Sequence, residues 1–139
     1  MTYLGLDLGS KTCGIAISDR TGLIATSLEV IRYDDYDELI NKLNDIVISR
    51  NVDAFVLGNP KNLDGSLSKR SEITLKFKDM LLNKFNMEVI MQDERLSTVE
   101  AERMLISNNT KRKNRKKVID KIAATIILQS YLDRRNNER

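Results

Sequence analysis

The sequence predicts a mixed α/β sheet with helices packed on it, and three observations carry that expectation. Three short strand-like segments follow one another within the first 31 residues, separated only by turns. Beyond them, helix-period and strand-like segments alternate. Sequential antiparallel strands followed by such units build a sheet of mixed direction. The 139 residues, 41% apolar and 31% charged, fit a single domain, 1–139. A chain of that length buries roughly 68% of the surface it exposes when unfolded.

Each element has its own signal. Residues 2–9 alternate loosely and end at Gly9, as a strand does. "GSKT" (9–12) is a turn and "CGIAIS" (13–18) a second strand, so the two form a hairpin. "RTG" (20–22) turns the chain into a third strand, "LIATSLEVI" (23–31). In "DDYDELINKLNDIVISRN", Leu39, Ile40, Leu43, Ile46 and Val47 recur at helical spacing, and the acidic start suits a helix N-terminus. "DAFVLGNP" (53–60) is a short buried strand, and "KNLDGSLS" a loop. "KRSEITLKFKDMLLNKF" is a helix with Ile73, Phe77, Met80, Leu81 and Phe85 on one face. "MEVIMQ" (87–92) is the fifth strand. Ser97 and Glu100 stand at capping-box spacing, so a helix begins near Ser97. A basic loop follows, then a last helix over about 116–134 carrying Val118, Ile119, Ile122, Ala123, Ile126 and Tyr131.

Composition narrows the chemistry. No apolar run is long enough to span a membrane, and "MTYLGLD" has no basic or signal-type segment, so a cytoplasmic protein without membrane partners is expected. The single cysteine, Cys13, excludes an internal disulfide and a multi-cysteine zinc site, and reads as a small strand residue. There is no histidine, which removes the usual general base and the common zinc ligand. Catalysis would rest on carboxylates, lysines, hydroxyls or a hard metal ion. "KRKNRKK" (111–117) holds six basic side chains, and subtracting them from the net charge of +3 leaves the rest of the chain at −3. A basic segment on a mildly acidic domain points to a polyanion contact, with a solvated surface segment as the plain alternative.

The carboxylates are the candidate chemistry. Asp7 sits inside an apolar strand, where Asp is a poor and costly residue. Asp93 and Glu94 stand at the end of the fifth strand, and Asp120 in the first turn or two of the last helix, near Ala123, Ala124 and Ile127. Brought together, such groups need a counter-charge, and Mg²⁺ or Mn²⁺ is the natural one for oxygen ligands. Each also has a structural use: Asp7 could accept amides of the "GSKT" turn, Asp93 and Glu94 could cap the next helix, and Asp120 could suit a helix N-terminus. "GSKT" is a weak phosphate-turn likeness and not a P-loop; Lys11 could approach a phosphate or face solvent. "GNPKNLDGS" (58–66), with Asn59, Lys61 and Asn62, lies beyond a strand's carboxyl end, where open α/β sheets bind ligands. Arg95 and the helix near Ser97 could bind a phosphate oxygen.

Four segments together, "LDLGSKTCGIAISD", "VLGNPKNLDGS", "DERLSTVEAERML" and "KVIDKIAATIILQSYL", resemble the YqgF family, also called RuvX-like or Holliday-junction-resolvase-like proteins. Its members are regarded as nucleases that process the 5′ end of pre-16S ribosomal RNA. The resemblance spans nearly the whole chain, in order. It implies a ribonuclease-H-like fold, a five-stranded sheet of order 3-2-1-4-5 with strand 2 antiparallel, and Asp7, Glu94 and Asp120 as an acidic triad holding one or two Mg²⁺ or Mn²⁺ ions. Around "VID" the match is looser, because the family often has its acidic residue directly after a valine; counting back from "ILQSY" selects Asp120. In that order strand 4 separates strands 1 and 5, a span of about 9–10 Å. Two side chains leaning together, or adjacent ions about 3.5–4 Å apart, would bridge it. The longer Glu94 suits that role better than Asp93, which would support or cap.

The reaction expected from this resemblance is metal-dependent hydrolysis of phosphodiesters in structured nucleic acid, with precursor ribosomal RNA as substrate. Lys11, Arg95, Lys111, Arg112, Lys113, Arg115, Lys116 and Lys117 would contact phosphates. Alternatives are cleavage of four-way DNA junctions, which needs two active sites and so a homodimer, and a non-catalytic ribosome-assembly factor on the same fold. An actin-like or sugar-kinase-type phosphotransferase shares the first-loop likeness but normally uses two such domains.

Overall fold

The computed structural model describes residues 1–59, 69–93 and 112–138; for 69–70 and 112–121 it describes the backbone alone. Five strands form one sheet: β1 (Tyr3–Leu8), β2 (Thr12–Ser18), β3 (Ala25–Arg32), β4 (Ala54–Asn59) and β5 (Glu88–Asp93). Their order is β3-β2-β1-β4-β5. β2 runs antiparallel to both β1 and β3, while β1, β4 and β5 are parallel. This is the sheet the resemblance implies. The helices are α1 (Tyr36–Arg50), α2 (Lys69–Phe85) and α3 (Arg112–Asn137). The helix expected near Ser97 lies outside the described residues.

The sheet is buried on both faces at its centre, so β1 and β4 read as continuous apolar runs. One face carries Leu4, Leu6, Leu8, Phe55 and Leu57 into a core shared with Leu39 and Leu43 of α1 and Phe77 and Leu81 of α2. The other carries Tyr3, Ala54 and Val56 against Ala124, Ile127, Leu128 and Leu132 of α3. Period-2 alternation along β1 and β4 points successive residues to opposite faces of the sheet, and so to one core or the other.

α1 starts where the acidic cluster predicts. Asp35 is its N-cap, accepting the Glu38 N–H at 2.8 Å. Asn51 ends it in the left-handed conformation, with φ 55°.

Three elements differ from expectation. β3 begins at Ala25, leaving Leu23 and Ile24 exposed. The Asp19 carboxylate accepts the N–H groups of Leu23 (2.9 Å) and Ile24 (3.1 Å) and a bond from the Thr21 hydroxyl, which folds 19–24 into a turn. In α2 the buried row is Ser71, Thr74, Phe77 and Leu81, and Ile73 is exposed. Two small polar residues therefore stand where an aliphatic one is expected. Finally, residues 112–115 are not part of a loop but the start of α3, which begins four residues before the expected 116. Lysine and arginine are good helix formers, and no Gly or Pro interrupts 111–137.

Candidate functional site

Asp7 stands near the carboxyl end of β1, half-buried, on the face that Tyr3 and Gly5 turn toward α3. Its antiparallel neighbour on β2 is Gly14. On β4 the parallel register pairs Leu6 with Leu57, so the next step brings Gly58 beside Asp7. A glycine on each neighbouring strand leaves no side chain standing over the carboxylate from either side. A phosphate backbone could approach it closely there.

The turn after Asp7 is tightly built. The Gly9 N–H donates to the Thr12 carbonyl at 2.8 Å, and a Cβ on Gly9 would sit 2.8 Å from that same oxygen. The buried Tyr33 closes it from the other side. Its hydroxyl donates to the Gly9 carbonyl, and its backbone N–H donates to the Lys11 carbonyl at 3.0 Å. Lys11 is exposed on this turn, at the same end of the sheet as Asp7.

α3 crosses β1 at Gly5, where an added Cβ would lie 2.7 Å from the Leu128 Cβ and 3.1 Å from the Ala124 carbonyl. Further back, Tyr3 meets Tyr131 edge-on, with ring centroids 5.4 Å apart. Advancing along β1 therefore means moving backward along α3. Two strand residues cover about 7 Å and one helical turn about 5.4 Å. Position 120, one turn before Ala124, thus lies level with Asp7. Asp120 is the ninth residue of α3 rather than part of its first turns, because the helix starts at Arg112. The helix dipole acts within the first turn, so it does not explain an Asp there. Arg112, Lys113, Arg115, Lys116 and Lys117 occupy the turns before Asp120, at the same end of the helix. No acidic residue stands in the first turn, so the basic charges run against the helix dipole.

On β5, Val89 and Met91 pack toward α1 and α2, whereas Ile90 packs toward α3. Alternation therefore puts Asp93 on the face opposite Asp7, level with Asn59, and Gln92 on the face of Asp7, level with Gly58. Asn59 is the last residue of β4 rather than part of a loop, and it is buried. Glu94, Arg95, Lys61, Asn62 and Lys111 lie outside the described residues. Among the described residues no three His, Cys, Asp or Glu side chains come together as a metal-binding group.

Gln92 received no weight in the sequence, yet it is a buried polar residue in line with Asp7. Its one sequence signal is a glutamine closing an otherwise apolar strand. Cys13 is wholly buried. Burial pushes its thiol pKa far up, and the charge of Asp7 adds to the shift, so it stays a neutral thiol.

A family model described as "RuvX: Holliday junction resolvase" matches residues 1–134. The chain belongs to the RuvX family. A relative from Levilactobacillus brevis is 47% identical over 137 residues, covering 96% of this RuvX chain and 94% of its own length. One from Geobacillus kaustophilus is 50% identical, covering 96% and 98%. Both carry the name "Putative pre-16S rRNA nuclease". Among solved structures, Thermus thermophilus RuvC in complex with Holliday junction substrate aligns with this RuvX chain at TM-score 0.60 and 13% identity, covering 99% and 96% of the two chains. The fowlpox virus Holliday junction resolvase aligns at TM-score 0.55 and 20% identity, covering 96% and 99%. These likenesses show the fold, and the sheet order agrees with them. No helix among the described residues is long and apolar enough to cross a membrane.

Proposed function

We propose that this RuvX chain is a metal-dependent nuclease that hydrolyses phosphodiester bonds in structured RNA, with the 5′ end of pre-16S ribosomal RNA as its substrate. The observation that carries the reading is the Asp7 carboxylate, half-buried at the carboxyl end of the central strand between Gly14 and Gly58. The names of relatives support precursor ribosomal RNA as the substrate.

The donor set suits a hard divalent ion: carboxylate oxygens, no histidine, and a cysteine buried as a neutral thiol. Asp7, Glu94 and Asp120 would hold Mg²⁺ or Mn²⁺. An ion held there would supply Lewis acidity, lowering the pKa of a water and countering charge on the leaving oxygen. The rest is the work of the chain itself. Gly14 and Gly58 admit the sugar-phosphate backbone to the carboxylate. Lys11 and the basic first turns of α3 bind phosphates on either side of the scissile bond, giving affinity without sequence reading. Duplex and loop shape selects the substrate.

The test is a cleavage panel of precursor ribosomal RNA, single-stranded RNA and a four-way DNA junction in Mg²⁺ and Mn²⁺, run beside Asp7→Asn. Precursor RNA should be cut, and Asp7→Asn should lower the rate about 100-fold or more, since the ion supplies several kcal/mol at about 1.4 kcal/mol per tenfold. Equal cleavage by Asp7→Asn would remove the reading. Cutting of the junction alone would reassign the substrate to branched DNA. RNA binding without cleavage would make the protein an assembly factor.

A further inference from the structure

Gln92 is a buried amide whose acceptor meets no donor among the described residues. The residue is 9% exposed, and its buried Oε1 has no hydrogen-bond partner among them. Native proteins seldom leave a buried acceptor unsatisfied, and a site that does so is a candidate for an incoming donor. Its position names the site. Gln92 pairs with Gly58 on β4, and Gly58 follows Leu57, the partner of Leu6 on β1. Asp7, Gly58 and Gln92 thus form one row across the face that packs on α3. The middle member has no side chain, so the carboxylate and the amide face a common space across about 9–10 Å of sheet. That gap is too wide for a direct contact between the two side chains.

We propose that Gln92 is a positioning residue whose amide oxygen accepts a hydrogen bond from an O–H group brought to the Asp7 end of the sheet with the nucleic acid. This rests on the nuclease reading and adds a residue to it. Two sources supply that chemistry: a ribose 2′-hydroxyl next to the scissile phosphate, or a water in the shell of the bound ion. A carboxylate at this position would bind the ion itself. A neutral amide can orient an O–H without adding charge.

The experiment compares wild type, Gln92→Met and Gln92→Glu on two oligonucleotides of one sequence, one ribose and one 2′-deoxy, over a range of Mg²⁺. Fluorescence anisotropy reads affinity, gel assays read kcat and KM, and thermal melting reads the fold. Gln92→Met fills the same volume without the acceptor. It should melt at the same temperature or higher, because an unsatisfied buried group has been removed. If the donor is the 2′-hydroxyl, Gln92→Met loses about tenfold in affinity and kcat/KM on the ribose strand alone, the worth of one hydrogen bond. If it is the ion's water, kcat falls by about the same factor on both strands and more Mg²⁺ is needed. Gln92→Glu keeps an acceptor, so it keeps any preference for the ribose strand, while its added carboxylate binds the ion and lowers the Mg²⁺ needed. Unchanged affinity, rate and Mg²⁺ dependence in Gln92→Met would overturn the assignment. So would a lower melting temperature in both variants, the mark of a structural residue. If wild type cleaves neither strand, the nuclease reading fails, and the anisotropy and Mg²⁺-dependence arms still decide the role of Gln92.

Discussion

Gly5 and Leu128 touch so closely that no side chain fits between them: a Cβ on Gly5 would lie 2.7 Å from the Leu128 Cβ. This contact sets the height of α3 over β1, and with it the level of Asp120 relative to Asp7. Gly5→Ala should therefore cost about 1–3 kcal/mol as α3 is pushed outward. Nuclease activity should fall further than the folded fraction does. Urea unfolding together with single-turnover cleavage checks both. A variant as stable and as active as wild type would show that α3 has slack at this crossing.

The turn that follows Asp7 is held by a residue from the segment before α1. Tyr33→Phe removes the hydroxyl that donates to the Gly9 carbonyl and leaves the ring in the core. A stability loss of about 1 kcal/mol is expected. Lys11 sits on this turn, so KM for RNA should rise with kcat little changed. Steady-state kinetics on the precursor substrate separate the two.

Asp19 gives the 19–24 turn a pH dependence. Its carboxyl is held down at about 2, from an ordinary 3.8, first by the Thr21 hydroxyl and then by the Ile24 and Leu23 N–H groups. A folded-state pKa below the unfolded one means the contribution is full above the unfolded value and fades as pH falls through the folded one. Wild type should therefore exceed Asp19→Ala in urea midpoint at neutral pH. That advantage should shrink between about pH 4 and pH 2. A difference constant across that range would mean that the charged carboxylate plays no part.

The basic turns of α3 should dominate the salt dependence of binding. Replacing Arg112, Lys113, Arg115, Lys116 and Lys117 by glutamine should flatten the plot of log K against log salt. The slope should change by about 0.7 to 0.9 for each phosphate that is no longer neutralised. Glutamine keeps helix propensity, so circular dichroism should not change. An unchanged slope would assign phosphate binding to other side chains.

Much of the fold was legible in the residues. The hairpin, α1 with its acidic start, β4 and β5 follow from periodicity and turn chemistry alone. Strand order did not; it came from the resemblance, because no local signal says that β4 pairs with β1 rather than β3. The misses share a cause. Leu23 and Ile24 look like strand, but a carboxylate four and five residues earlier takes their amides. Ile73 looks like core, but Ser71 and Thr74 fill the buried row of α2. Tertiary hydrogen bonds and small polar side chains in a packed row leave no trace in hydropathy. In the site, Asp7 stood out because a strand-embedded carboxylate needs a reason. Gln92 did not, because one amide at a strand end is ordinary until its burial is known.

Among the described residues, the second half of α3 is held by several side-chain contacts. Gln129 takes the Ala25 N–H and donates to the Leu23 carbonyl, Asn136 donates to the Gly22 carbonyl, and the Arg135 guanidinium lies 5.6 Å from the centre of the Tyr3 ring. All of these grip the half of the helix remote from Asp120. The arrangement is a cantilever: a clamped root, a fulcrum at Gly5, and beyond it the backbone of the basic first turns and of position 120. Load on the tip, such as a docked polyanion, would be felt at the fulcrum before the root. Amide exchange should then be slowest from Ile127 onward and quicken toward Arg112.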